Sequence, residues 1–509
     1  MSRVRGSLYR GLNAALTSAL LIAACRGGRA STTGGGTGGT AAGQDPCAYK
    51  AGPELLSFPT ALDSLGEMPP DVCPPSPELR CASVCPGGAC DEVALDRLHD
   101  IFAWRLFVAT NWPHTATGPQ SSGSTGSCKD LVGAATQPAP QLSGAGVPLW
   151  CTWHDVSEAF ERDAPHDGEE CQDVNVKQVM SSGWTDPLPP RNNPVWDQNG
   201  NPVKVEARIN ERSYQQFVDN FRVNDIAGQL VSQCSASECS DPGSAPCFGL
   251  SEQNSTWGRY PNCASEYPGG ANVPLVHLKL AWKKLGPSDD PGRFIVHEDG
   301  EHGLVAMHIV AKTLMTKASW FWATFEHVDN LEPSEPWRTP LFRDPSCQDC
   351  VPNKCPQPAP GQPRRTQIER LTPIPEGVAA LNDEVRALFA QRGHVLQHYQ
   401  LIGAQRRDSG EYVACSLDGK PTHVPPDGLR PARLANAVLE WDRQDISCFE
   451  CHARAKGVVF KSPATDCKDC DDVTCPKAKE GDVRFAEGCA DFFWQAARAA
   501  WNPIVNTEQ

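Results

Sequence analysis

The chain has 509 residues, 40% of them hydrophobic, with 45 Pro, 43 Gly and a formal charge of −15. That length fits about two or three domains and is enough to bury a sizeable core, while the Pro and Gly content puts much of the chain in loops and linkers. An acidic balance argues against a nucleic-acid partner, since net negative charge disfavours association with a phosphate backbone.

Arg3, Arg5 and Arg10 precede a short apolar run over 12–24 that ends in small residues. Such a pattern predicts an export signal over 1–24, and the run is too short for a stable transmembrane helix. It closes on Leu21-Ile22-Ala23-Ala24-Cys25, which resembles a bacterial lipobox. The resemblance implies a lipidated Cys25 and a firm membrane anchor, and Arg26 after it points to the outer membrane, facing the periplasm. Gly-rich residues 25–46 then form a tether.

The predicted body, 47–375, is disulfide-rich and α+β, built from an antiparallel sheet and helices. Residues 47–90 are Pro- and Cys-rich. Asp91 is placed to cap a helix running to about Thr110, with Leu95, Leu98, Phe102 and Leu106 at helical spacing. A turn at Asp197-Gln198-Asn199-Gly200 precedes a strand in which Val203, Val205, Ala207 and Ile209 alternate with polar residues. Tyr214, Phe217, Val218 and Phe221 suggest a helix. Strands are expected around 278–282, at 293–297, at 304–313 and at 319–328.

Residues 376–509 are expected to form a small helical, cytochrome-c-like haem segment. Within it we expect a helix at 376–391, a strand at 394–403, a helix starting at Pro431 and running to 443, and a last helix over 487–501. Phe449, Phe492, Phe493 and Trp494 are candidates to pack a haem face.

The run Cys448-Phe449-Glu450-Cys451-His452 is C-x-x-C-H, the signature of c-type haem attachment. Two thiols three positions apart can reach the two vinyl groups of one haem, and the adjacent His452 then offers its imidazole to the iron as the proximal ligand. No His and no Met follows His452, so a distal ligand must come from upstream or be exchangeable. The candidates are His308, His327, Met307, Met180, His394, His398 and His423, with His308 first. Met307 and His308 are neighbours in a predicted strand, so they face opposite sides and only one can serve a given pocket.

The chain has 23 cysteines. Setting aside Cys25, Cys448 and Cys451 leaves an even remainder, which suits a disulfide framework in an oxidising compartment. Cys347/Cys350/Cys355 and Cys467/Cys470/Cys475 share the pattern C-x-D-C-x4-C and are expected as disulfides rather than as a zinc or iron–sulfur site. His297 and His302, in His-Glu-Asp-Gly-Glu-His, are five apart rather than the four a helical metal site needs, so this run is expected as an acidic hairpin loop.

Five stretches carry a family resemblance. They are Phe107-Val108-Ala109-Thr110-Asn111-Trp112-Pro113, the Asp197 turn with Glu206-Ala207-Arg208-Ile209-Asn210, residues 303–313 around Met307-His308, Trp322-Ala323-Thr324-Phe325-Glu326-His327-Val328-Asp329-Asn330, and the C-x-x-C-H run. Together they resemble a family of bacterial monohaem cytochrome-c-like proteins over roughly 101–452. The resemblance implies one covalent haem c and an envelope location, and no substrate. The expected function is electron transfer by a lipid-anchored monohaem c-type cytochrome with a redox protein partner. Two alternatives stand beside it: a haem enzyme or sensor with an open distal side, peroxidase-like, and a haem-free, disulfide-rich binding lipoprotein.

Overall fold

A computed structural model of the chain describes residues 58–60, 62, 65–66, 92–117, 128–133, 136–159, 194–215, 275–313, 319–347, 350–356, 358, 360–407, 429–445, 447–452, 456–460 and 483–487. Its contacts separate residues 1–44 from 45–509. The described residues all belong to the second unit and begin at 58, so the export signal, Cys25 and the whole 25–46 tether lie outside them. Among the described residues no helix is long and apolar enough to cross a membrane.

Helix α1 (Glu92–Thr110) leads into a small antiparallel sheet of β1 (Pro113–Ala116), β2 (Thr136–Pro138) and β3 (Val147–Pro148), in the order β2-β1-β3. The main sheet then runs as a meander: β4 (His154–Asp155), β5 (Lys204–Ile209), β6 (Leu275–Lys284), β7 (His302–Thr313), β8 (Ser319–His327), β9 (Tyr399–Arg407) and β10 (Leu429–Arg430) lie side by side in reverse sequence order, all antiparallel. Short helices α2 (Cys128–Leu131), α3 (Val156–Ala159) and α4 (Glu211–Tyr214), and the longer α5 (Glu376–Ala390), complete the body. This is the expected mixture of helices and antiparallel sheet.

Strand side chains alternate faces, and both faces of this sheet are covered. On the first face Leu278, Leu280 and Trp282 of β6, Met307 and Ile309 of β7, and Phe321 and Phe325 of β8 pack against α1 and α5. The amphipathic spacing of α5 sets Val378, Leu381, Val385 and Phe389 into that core. Phe107 of α1 stacks on Phe325 at 4.1 Å, and Trp104 donates its indole N–H to Asn382 of α5 at 3.1 Å. On the second face Val205, Ala281, Val305 and Ala306 meet Ala437, Val438, Leu439 and Trp441. The strap lies close to β9 at Gly403, where a Cβ would stand 2.9 Å from a Leu434 methyl.

The turn at 197–200 forms as expected: Asp197 accepts the backbone N–H groups of Asn199 and Asn201, and Gly200 takes the positive φ of 83°. Residues 293–297 do not make the strand expected of them. A 3-10 turn at Pro291–Arg293 is followed by a single bridge, Val296 to Gly303, because the hairpin is too short to extend the ladder. The expected strand at 394–403 is a 3-10 turn, Val395–His398, followed by β9.

Residues 431–443 are also not a helix. Side chains take the backbone donors that a helix would use internally: Glu326 accepts from Ala437, and Asn436 accepts from Val438 and Leu439. The segment is instead a strap lying across the sheet. The expected helical segment from 376 onward is met only by α5 and by α6 (Cys448–His452), while β9 and β10 belong to the main sheet, and β11 (Lys456–Phe460) pairs with β12 (Val483–Glu487). Residues 488–501 of the expected last helix, with Phe492, Phe493 and Trp494, lie outside the described residues, as do Asp91 and the helix pattern beyond 215.

Candidate functional site

The C-x-x-C-H run forms α6, five residues long. A single turn has almost no stability of its own in water, so its neighbours hold it. Ser447 caps it: its hydroxyl accepts the Glu450 N–H at 3.0 Å, and its carbonyl accepts the Cys451 N–H at 3.0 Å. Gln405 of β9 accepts the Phe449 N–H at 3.1 Å. The Phe449 side chain is fully buried and sits edge-on to Trp322 of β8 at 4.4 Å, in a cluster with Trp320, Leu429 and Val310. Burying that ring stabilises the docking by about 2–3 kcal/mol.

With Phe449 pointing into the sheet, Cys448, Cys451 and His452 are left half-buried. The His452 ring lies 5.4 Å from the Trp322 ring. Both cysteines are thiols, and Cys448 packs its sulfur 3.6 Å from the Leu434 carbonyl of the strap. Burial, then the Glu440 carboxylate, then Cys451, push the Cys448 thiol well above its usual range. Redox-active C-x-x-C pairs depend on the opposite shift, a stabilised thiolate.

His308 lies on this second face. It sits on β7 opposite Lys279 and Thr324, one ladder row from Val310 and Trp322. Its Nε2 is 2.8 Å from Glu440, and its buried Nδ1 has no hydrogen-bond partner. The other Glu440 oxygen accepts the Asn436 N–H at 2.8 Å. Burial alone would raise this carboxyl, but the His308 charge and hydrogen bond, with Lys279 and the Asn436 N–H, hold it below the usual value. The fold therefore brings His308 into the neighbourhood of Cys448 through a shared carboxylate.

The remaining candidates lie elsewhere. Met307 faces the helix side of the sheet, fully buried, with Asn111 Nδ2 3.9 Å from its sulfur. His327 is buried with both ring nitrogens engaged: Nε2 donates to the Arg293 carbonyl at 3.0 Å, and Nδ1 accepts from the Asp329 N–H at 3.2 Å. Burial keeps it neutral, its pKa lowered to about 3. Burial likewise lowers His394 and His398 to about 4, and His394 accepts the Leu396 N–H. Met180 and His423 lie outside the described residues.

The 297–302 run is the acidic hairpin loop expected from its spacing. Asp299 accepts from the N–H groups of Glu301 and His302 and from His302 Nδ1. Cys347 pairs with Cys350, and Cys128 with Cys151; Cys355 is also in a disulfide. The set Cys467/Cys470/Cys475 lies outside the described residues. Among the described residues no group of three or more His, Cys, Asp or Glu is arranged to hold a metal ion.

Sequence reasoning missed the roles of Gln405, Glu440 and Trp322. Gln405 lies past the expected end of its strand, Glu440 inside a helix that does not form, and Trp322 carries only a strand pattern. Compared with family models, curated proteins and solved structures, the chain matches none.

Proposed function

We propose that this chain is a monohaem c-type cytochrome of the cell envelope, lipid-anchored through Cys25, that passes electrons to a redox protein partner. One observation supports the reading most: two cysteines outside any disulfide and an imidazole share a single turn whose only fully buried side chain, Phe449, fastens that turn to the sheet. This donor set fits a covalent haem, with Cys448 and Cys451 as the thioether residues and His452 as the proximal ligand. When bound, haem supplies a one-electron iron couple. The chain's own residues do the rest: Phe449 and Gln405 fix the turn, and Trp322 packs beside His452. The helical haem segment expected from residue 376 enters this reading only through α5 and α6. Support comes from the donor set, not from a helical cytochrome fold.

His308 is the candidate distal ligand, on the same face as the motif. A second reading, a haem with an open distal side, is favoured by a separate observation: Glu440 holds His308 Nε2, and the core occupies Met307 and His327. Ferric spectra separate the two. A six-coordinate low-spin iron indifferent to cyanide supports electron transfer, and a five-coordinate iron that binds cyanide supports ligand chemistry.

The deciding experiment is a pyridine haemochrome spectrum and intact mass of the full chain, exported with haem-attachment machinery. Wild type is expected to carry one covalent haem, and Cys448→Ser with Cys451→Ser none. A Cys448–Cys451 disulfide without added porphyrin mass overturns the proposal.

A further inference from the structure

The attachment turn depends on one buried amide far from it in sequence. Gln405 is fully buried on β9. Its Oε1 accepts the Phe449 N–H at 3.1 Å, and its Nε2 donates to the Pro431 carbonyl at 2.7 Å. Pro431 opens the strap, and Phe449 is the second residue of α6. The same side chain therefore fixes both ends of the 431–448 segment against one strand. Ser447 serves the next two N–H groups of the turn, Glu450 with its hydroxyl and Cys451 with its carbonyl, so Gln405 supplies what local capping does not. Across the ladder its strand partner is Trp322, whose ring touches both Phe449 and His452.

A buried amide with both ends satisfied is rigid, and it imposes one geometry on what it holds. Rotating a five-residue helix about its axis would move the two sulfurs and the imidazole together. What opposes that rotation is the Gln405 bond and the Phe449 plug.

We infer that Gln405 is the positioning residue for cofactor attachment, setting the rotation of the C-x-x-C-H turn so that Cys448, Cys451 and His452 address one haem. The inference rests on the haem reading above. It assigns the specificity of attachment to a residue outside the motif. Attachment chemistry that depends on geometry loses about 100-fold for misplacements near 1 Å.

The test compares exported full-length wild type, Gln405→Met and Gln405→Glu, each purified as folded monomer. Gln405→Met keeps volume and removes both hydrogen bonds. Gln405→Glu restores the acceptor and, as the neutral acid, the donor. Covalent haem per folded chain is expected to fall about tenfold in Gln405→Met, and the loaded remainder to show broadened, shifted low-spin ferric EPR signals. Gln405→Glu is expected to recover most of the loading. A purely structural role would lower thermal stability without changing haem per folded chain or the EPR line positions. Wild-type loading and spectra in Gln405→Met overturn the inference. Haem-free wild type instead overturns the functional reading itself. Should Gln405→Met not fold, hydrogen exchange on loaded wild type decides: the Phe449 amide is expected to be among the slowest in 447–452, and fast exchange there refutes the role.

Discussion

Phe449→Ala tests whether the C-x-x-C-H turn is held by the sheet, since it leaves both thiols and the imidazole in place. The ring is fully buried against Trp320, Trp322, Leu429 and Val310. Truncating such a phenylalanine costs about 3–5 kcal/mol, through lost transfer energy and the cavity left behind. The cost falls on docking of α6 and the strap, because α6 cannot persist alone, so local opening reports it better than global unfolding does. At ~3 kcal/mol the open population rises by roughly two orders of magnitude. Hydrogen exchange followed by mass spectrometry on the 431–452 peptides should show that acceleration, with peptides from α5, on the other face of the sheet, unchanged. Phe449→Leu keeps most of the volume and should cost about 1 kcal/mol, an acceleration under about tenfold. Equal exchange in wild type and Phe449→Ala refutes the claim that this ring anchors the motif.

Glu440 raises the Cys448 thiol, second to burial, so Glu440→Gln should speed alkylation of Cys448 at pH 8 in haem-free Cys451→Ser protein by a factor of about three or more; an unchanged rate excludes the coupling. His327 has a folded-state pKa near 3, below its ordinary value of 6.5, because of burial. As pH falls through that window the unfolded chain takes a proton that the folded chain refuses, so stability falls, by at most about 1.4 kcal/mol per pH unit for this one group. His327→Gln should flatten the urea midpoint's decline between pH 6.5 and 4, though His394 and His398 leave some slope; identical slopes count against a neutral buried imidazole. Replacing Cys128 and Cys151 by serine opens a bridge spanning 23 positions, which should cost about 3 kcal/mol in non-reducing denaturation; a midpoint equal to wild type would show that bridge to be idle.

Features that depend on neighbouring residues were legible before folding. Strand alternation marked β5, strand-like runs marked β7 and β8, the Asn-Gly turn marked its own bend, and the helical spacing in 376–391 marked α5. The i/i+1 alternation alone assigned Met307 and His308 to opposite faces, as the sheet has them. The C-x-x-C-H spacing carried the whole cofactor hypothesis.

What surrounds that motif comes from long-range contacts. The bond from Phe449 to Gln405 spans 44 positions and that from His308 to Glu440 spans 132. Local propensity carries no signal for contacts that exist only once strand register is fixed. The same long-range bonds explain why 431–443 reads as a helix yet lies as a strap: Glu326 and Asn436 capture its backbone donors before an internal ladder can. Placement of the motif on the sheet therefore follows from burial of Phe449 and from one buried amide, neither of which has a signature in the five residues themselves.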